Sequence, residues 1–494
     1  MPYRMLPVFA LAFLLLSHCA TTADPAPAAS AVTLPAPLAN PVPANTTRSV
    51  PNPTGLDRYV AAPDDHFAYE RVGLTEHGDV TAHIFHMTSQ RWDTPEPVEP
   101  AEWTHYVVVA VPETVTSTTA LLFIGGGGNN DSAPAGGGAY LRRLARLTGM
   151  ICVELYQIPN QPLRFADGRG GSEDRAIAIT WDLYLRTGNE MWPMRLPMTK
   201  AVVRAMDMTQ EVMATTEAGA HRVDDFIVAG GSKRGWTVWT TAAVDTRVKG
   251  IIPMVIDLLN VVPSFEHHWE AYGHWAPAIG DYERTGIMPW LTYPEFKALM
   301  ELVDPYEYRE RFTMPKLIMN GAGDQFFLPD SSQFYWDDLI GDKWLRYIPN
   351  AGHGLNASAV PSASAFALDI ALGNPIPEYS WAYSGPNTVR VTTNAEPSQV
   401  LLWTATNPEE RTWRVDVVGS NLYSAVPLEP IAPGVYEATV PDPPEGWTAW
   451  MVELTFPGPH EEASHIFTTP VSVVPTTMPH EYVRPPKPEG GFLE

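Results

Sequence analysis

Two cysteines in 494 residues rule out a disulfide framework, and the two differ in setting. Cys19 falls in an apolar N-terminal stretch, whereas Cys152 sits in the run Ile151-Cys152-Val153, where a cysteine acts as a small core residue. Positive charge is also scarce. With 32 Lys+Arg against 56 Asp+Glu the formal charge is -24, so nothing basic is available to displace phosphate counterions, and nucleic acid is excluded as a partner. The histidines at 267, 268 and 274 do not form His-Glu-x-x-His, and the glycine run at 125–128 does not end in Gly-Lys-Ser/Thr. Neither a metal nor a cofactor is therefore expected.

What the ends of the chain do contain points outward from the cytoplasm. Residues 1–23 combine Arg4, an apolar core from Leu6 to Leu16 too short to span a bilayer, and small residues, the pattern of an export signal. Leu16-Ser17-His18-Cys19 resembles a lipobox, which would place a lipid on Cys19; the alternative is cleavage near Ala23. The expected locations are periplasmic, outer-membrane lipoprotein or extracellular, with the membrane touched only through that anchor. Residues 24–55, rich in Pro and Ala, read as an extended linker.

The body alternates strand-like and helix-like segments. Phe226-Ile227-Val228-Ala229 is a short apolar run of the kind buried in a parallel sheet, and it ends in Gly230-Gly231. Ser232 follows at the turn, then a helix from Lys233 to Ala243 and a second apolar run from Gly250 to Asp257. A serine lifted out of a sheet at such a corner can be exposed to substrate and paired with a base. The G-x-S-x-G pattern is imperfect, because Arg234 stands where the second glycine belongs and Gly235 comes one residue late. Taken alone, Gly-Gly-Ser after a strand is more often an ordinary turn with a helix-capping serine.

Other strand ends supply what that serine would need. Ala120–Ile124 runs into four glycines and two asparagines, the place for an oxyanion loop, with Gly126, Gly127, Gly128 and Asn129 as candidate donors beside Lys233. The competing reading is a flexible or phosphate-binding loop. Asp324 follows the apolar run Lys316–Met319, and His353 follows Trp344–Ile348. Serine, acid and histidine thus come in hydrolase order at the carboxyl ends of successive strands. Asp257 is the competing acid, and Trp236 closes the elbow. A helix is expected over Asp330 to Ile340, and residues 157–190 read as an excursion in which Glu173-Asp174 is a solvated or helix-capping pair. Aromatic-rich residues 261–290 read as a cap over the site.

The motifs Leu155-Tyr156-Gln157-Ile158-Pro159-Asn160-Gln161-Pro162, Pro197-Met198-Thr199-Lys200-Ala201, Gly230-Gly231-Ser232-Lys233-Arg234-Gly235-Trp236, Pro253-Met254-Val255-Ile256-Asp257, Gly323-Asp324 and Gly352-His353 together resemble the PhoPQ-activated pathogenicity-related family of α/β-hydrolases. The resemblance implies an α/β-hydrolase fold, export, and a link to envelope stress or antimicrobial-peptide resistance. The elbow is also similar to the Ser-Arg elbow of glucuronoyl esterases, which implies that Lys233 holds an oxyanion or an acidic substrate group.

Beyond Asn374 short alternating runs separated by Pro, Gly and Asn turns suggest an immunoglobulin-like β-sandwich over 375–475, and residues 476–494 read as a loose Pro-rich tail. The hydrolase body is placed at 56–374. The expected function is a serine hydrolase using Ser232, Asp324 and His353 on a small-molecule, peptide or polymer-ester substrate. A secreted peptidase, and a non-catalytic binding protein on the same scaffold, are the alternatives.

Overall fold

The computed structural model describes residues 46–493; the export signal, Cys19 and most of the expected linker lie outside the described residues. Nine strands form one sheet: β1 (Ala68–His77), β2 (Val80–Arg91), β3 (Glu102–Pro112), β4 (Thr119–Ile124), β5 (Cys152–Leu155), β6 (Asp225–Gly231), β7 (Val248–Met254), β8 (Lys316–Gly321) and β9 (Lys343–Ile348). Their spatial order is β1-β2-β3-β5-β4-β6-β7-β8-β9. The first four neighbours pair antiparallel and everything from β5 to β9 is parallel. Among the helices, α1 (Gly55–Ala61) precedes the sheet; α2 (Ala139–Thr148), α3 (Glu173–Thr187), α4 (Arg195–Met213), α5 (Lys233–Val244), α6 (Val261–Tyr272), α7 (Gly280–Arg284) and α8 (Pro294–Val303) lie in the crossovers that parallel neighbours need; and α9 (Ala359–Leu372) follows β9.

Successive residues of the central strands serve opposite faces of the sheet. Ala120, Leu122 and Ile124 of β4, with Phe226 and Val228 of β6, pack with α3, α4 and α5. Leu121, Ile227 and Ala229 pack with α2 and α9 on the other side. Both faces are covered, which is why these strands read as unbroken apolar runs. This is the α/β-hydrolase fold. Cys152 lies within it, its thiol pushed up by burial.

After α9 the chain forms β10 (Tyr379–Tyr383), β11 (Thr388–Thr393), β12 (Gln399–Asn407), β13 (Ser424–Pro427), β14 (Val435–Thr439), β15 (Trp447–His460), β16 (Ala463–Thr468) and β17 (Ser472–Val474). They make a three-stranded sheet, β10-β11-β14, and a sheet β13-β12-β15-β16 to which β17 adds by pairing β15. Val391 and Tyr436 of the first share a core with Trp450 and Phe467 of the second and with Phe366 of α9. The sandwich also covers the open edge of the large sheet: the Tyr347 N–H of β9 donates to Thr468 Oγ1 at 2.9 Å.

Four expectations need correction. Residues 330–340 hold only a short 3-10 turn, Ser331–Phe334, because the buried Asp330 side chain is drawn into contacts outside the segment. Residues 157–190 include the fifteen-residue α3. The end of the expected linker is docked: Arg48 N–H donates to Val244 O at 2.6 Å, and Thr54 and Asp57 form a capping box on α1. The tail is not loose. It runs across α6, α8 and α3, with the His480 N–H on Glu270 O (3.1 Å), the Arg484 guanidinium 3.9 Å from the Tyr293 ring, Lys487 on the buried Glu295 (2.7 Å), and the Phe492 N–H on Leu185 O (3.2 Å).

Candidate active site

β6 ends at Gly231, and Ser232 takes φ 58°, ψ -129° before α5 begins at Lys233. A non-glycine residue held there is strained, and the turn lifts the hydroxyl above the sheet. The late glycine explains the imperfect motif. A Cβ on Gly235 would stand 2.7 Å from Met254 O and 3.0 Å from Gly230 O, so Gly235 is where helix and strand meet backbone to backbone. Arg234 is free to be large because it points elsewhere.

The loops after β8 and β9 bring Asp324 and His353 to this serine. His353 Nε2 lies 2.8 Å from Ser232 Oγ, and His353 Nδ1 lies 2.8 Å from Asp324 Oδ2. The second oxygen, Oδ1, accepts the Phe326 N–H at 2.7 Å, and the His353 N–H donates to Gln325 Oε1 at 2.8 Å. The Phe326 ring lies 4.3 Å from the imidazole. Asp324 is buried and His353 partly exposed, so the carboxylate fixes the ring while its far nitrogen faces the cleft.

Asp257 does not take part in that line. Its two oxygens accept the hydroxyls of Tyr335 and Tyr347, each at 2.6 Å, and burial pushes its carboxyl up to about 8 against those two donors. The competing acid of the sequence is thus a buried group beneath the site.

Lys233 and Arg234 also depart from expectation. Lys233 Nζ is held by Glu173 (2.9 Å) and Asp174 (3.1 Å), and Arg234 grips Glu173 with both terminal nitrogens (2.9 and 2.7 Å) while its Nε donates to Ile158 O. Two cations meet two carboxylates, so the Lys233 ammonium is not free for an oxyanion or an acidic substrate group. Burial opposes ionisation of Glu173, yet Arg234 and then Lys233 hold it well below the usual carboxylate range. Glu173-Asp174 opens α3 as a helix-start pair, with the Glu173 side chain 39% exposed and both carboxylates paired with the elbow cations rather than left to solvent alone. Two consecutive cations inside a buried elbow require acidic partners, but nothing in the sequence points to Glu173-Asp174 as those partners.

The glycine loop has a packing explanation. A Cβ on Gly126 would meet Arg234 Nη2 at 2.8 Å, and Gly127 at φ 126° lies against Asp131 and Gln157. The Gly128 N–H donates to Asp131 Oδ2 (2.7 Å) and the Asn129 N–H to Gln161 O (2.5 Å), so these two donors are committed inside the loop. None of Gly126 to Asn129 lines the cavity beside Ser232. The Lys233 N–H differs, because as the first residue of α5 it has no acceptor within the helix.

Trp236 is buried against that cavity, its Nε1 bonded to Val303 O (2.6 Å) and its ring 4.3 Å from the Arg195 guanidinium. Arg195, Tyr282 and Asp174 had no sequence signal as a group. Arg195 Nη1 donates to Lys233 O (3.0 Å) and the Tyr282 hydroxyl donates to Asp174 Oδ1 (3.1 Å).

The chain is similar to several known proteins. Autocrine proliferation repressor protein A of Dictyostelium discoideum is 35% identical over 455 residues, 86% of this chain and 91% of that protein. Among solved structures, acetyl xylan esterase 1 from a Thermoanaerobacterium species (16% identity, 64% of this chain and 91% of that one, TM-score 0.45) and an acetyl xylan esterase from a Paenibacillus species (16%, 66% and 96%, TM-score 0.46) are similar. The family profile of the PhoPQ-activated pathogenicity-related proteins matches residues 56–414, and the chain belongs to that family.

Proposed function

We propose that this protein is a serine hydrolase that cleaves esters through an acyl-enzyme. The observation that carries the reading is the unbroken line from Ser232 Oγ through His353 to Asp324, both links 2.8 Å, built on a strained elbow. In the first step Ser232 Oγ forms a bond to the substrate carbonyl carbon as its proton passes to His353 Nε2. The charge that develops on the carbonyl oxygen faces the Lys233 N–H, and Asp324 stabilises the imidazolium. Collapse breaks the bond to the alcohol, which leaves with the proton from His353. Water, deprotonated by the same nitrogen, then releases the acid and restores Ser232.

Esters are favoured over amino-terminal peptide substrates by the charge pattern. A pocket for a free amine needs an unpaired carboxylate, and both Glu173 and Asp174 already hold Lys233 or Arg234. Export, with or without a lipid on Cys19, remains part of the proposal and rests on residues 1–23 alone.

Labelling with a small fluorophosphonate probe tests the nucleophile. Wild-type protein should label at Ser232, and Ser232→Ala should not. Equal labelling of the two, or none of either, sinks the assignment in favour of a non-catalytic scaffold. A panel of acyl esters beside short peptides separates esterase from peptidase, since cleavage of peptides alone contradicts the ester reading.

A further inference from the structure

Resting on the serine-hydrolase reading, a second feature of the site bears on its substrate. Ser232 borders a cavity of about 30 Å³, room for about two water-sized groups. Its walls are mainly apolar, among them Trp181, Trp236, Leu258, Ile279 and, from the loop after β8, Phe326 and Phe327. The polar groups at its margin are engaged with one another, through the Lys233–Asp174, Tyr282–Asp174 and Arg195–Lys233 contacts.

The side of the serine on which this cavity lies decides which half of the substrate enters it. His353 must hand its proton to the leaving alcohol, so the alcohol stands by Nε2, on the side of the loops after β8 and β9. Ser232 and Lys233 line the cavity and His353 does not; the two lining residues from the loop after β8, Phe326 and Phe327, pack against the imidazole, their rings 4.3 and 6.0 Å from it. The alcohol at Nε2 therefore stands outside the cavity, which is left for the acyl group.

The walls are also pinned. The Trp181 ring lies 6.1 Å from Trp236, 5.3 Å from Tyr282 and 6.1 Å from Phe296, and Trp236 is fixed by its bond to Val303 O and by the Arg195 guanidinium over its face. Interlocked aromatic rings do not part for a longer chain without losing these contacts. We infer that this cavity is the acyl pocket and that the protein acts on esters of short acids, acetyl and propionyl, whatever the size of the alcohol.

The test uses the purified protein and p-nitrophenyl esters from acetate to octanoate, after a small fluorophosphonate has counted the active serines. The expected result is a maximum of kcat/KM at acetate or propionate and a fall of about tenfold or more between butyrate and hexanoate. Ile279→Ala should shift the maximum toward longer acids. Should that variant fail to fold, Leu258→Ala, at the less buried rim, carries the same test. Labelled enzyme that hydrolyses hexanoate as fast as acetate overturns the acyl-pocket assignment and leaves the hydrolase reading standing. A cut-off that neither variant moves overturns the assignment to this cavity. Protein that does not label overturns the hydrolase reading, and this inference falls with it.

Discussion

Val415 donates its N–H to the Gly323 carbonyl at 3.0 Å, so a residue from the C-terminal region clamps the loop that carries Asp324. The same side chain covers the loop that carries His353. A Cβ on Gly323 would stand 2.6 Å from Val415 Cγ1, and one on Gly352, next to His353, 2.7 Å from Val415 Cγ2. The family match runs to residue 414, past the hydrolase sheet and up to this clamp.

Gly323→Ala is therefore expected to push the acid loop aside without unfolding the protein. The added methyl also meets Trp413 O at 2.9 Å, a backbone atom that cannot rotate away. A displacement of about 1 Å can cost roughly 10²-fold in rate. Measured ester kcat should fall by about that factor while circular dichroism is unchanged, and Val415→Ala added to it should recover part of the loss. Full activity in the single variant would show that the clamp does not position Asp324.

Asp257 gives the protein a pH signature. Its carboxyl is pushed up to about 8 by burial, whereas in the unfolded chain it titrates near the usual carboxylate value of about 4. Between these values the folded state binds the proton that the unfolded state has lost, so stability falls as pH rises from about 4 to about 8 and levels off above. Asp304, pushed up to about 7 by burial, adds a slope of the same sign. Thermal midpoints recorded across this range should decline, and Asp257→Asn should flatten the decline without abolishing it. An unchanged slope in the variant would place the titration elsewhere.

The parts of the site legible in the sequence are those marked by local punctuation. Gly230-Gly231 ends β6, Gly323 and Gly352 stand in the loops just after β8 and β9, and the residues that follow them, Ser232, Asp324 and His353, are those the fold gathers. What joins distant segments left no local trace. Glu173 and Arg234 are 61 residues apart and become partners only when α3 lands on the elbow. The four glycines at 125–128 were visible, but a glycine that makes room for a guanidinium looks the same as one that exposes an N–H to substrate. The tail misled for the opposite reason, since its Pro-rich composition hides single anchors such as Arg484 and Phe492 that dock on surfaces formed elsewhere.

Those anchors should matter for stability more than for chemistry. Glu295 is fully buried and paired with Lys487 at 2.7 Å. Lys487→Met leaves that carboxylate without its cation, a loss of about 3 kcal/mol for a buried pair broken on one side. Urea unfolding should report a lower midpoint with the m-value unchanged. Removal of residues 476–494 should cost at least as much, because it also strips Tyr482 from Trp269 and Phe492 from Tyr184. A truncated chain as stable as the whole would mean that the strap is not energetically coupled to the cap.

The cap is tied to the sandwich by a second buried pairing. Asp330 accepts from Arg411 Nη2 at 2.6 Å on one oxygen and faces His267 Nε2 at 2.9 Å on the other, so the loop after β8, the C-terminal region and α6 meet in one place. Burial alone would raise the Asp330 carboxyl, but Arg411 and then His267 hold it well below the usual carboxylate range. Its contribution is therefore present above about pH 4 and lost only as pH falls through the depressed value. Arg411→Leu should cost about 3–5 kcal/mol at neutral pH, because a buried carboxylate loses its main cation. Acid unfolding of that variant should begin at a higher pH than in wild type. Adding Asp330→Asn removes the stranded charge and should restore part of the stability, whereas a cycle in which the two losses simply add would show that the residues are not coupled.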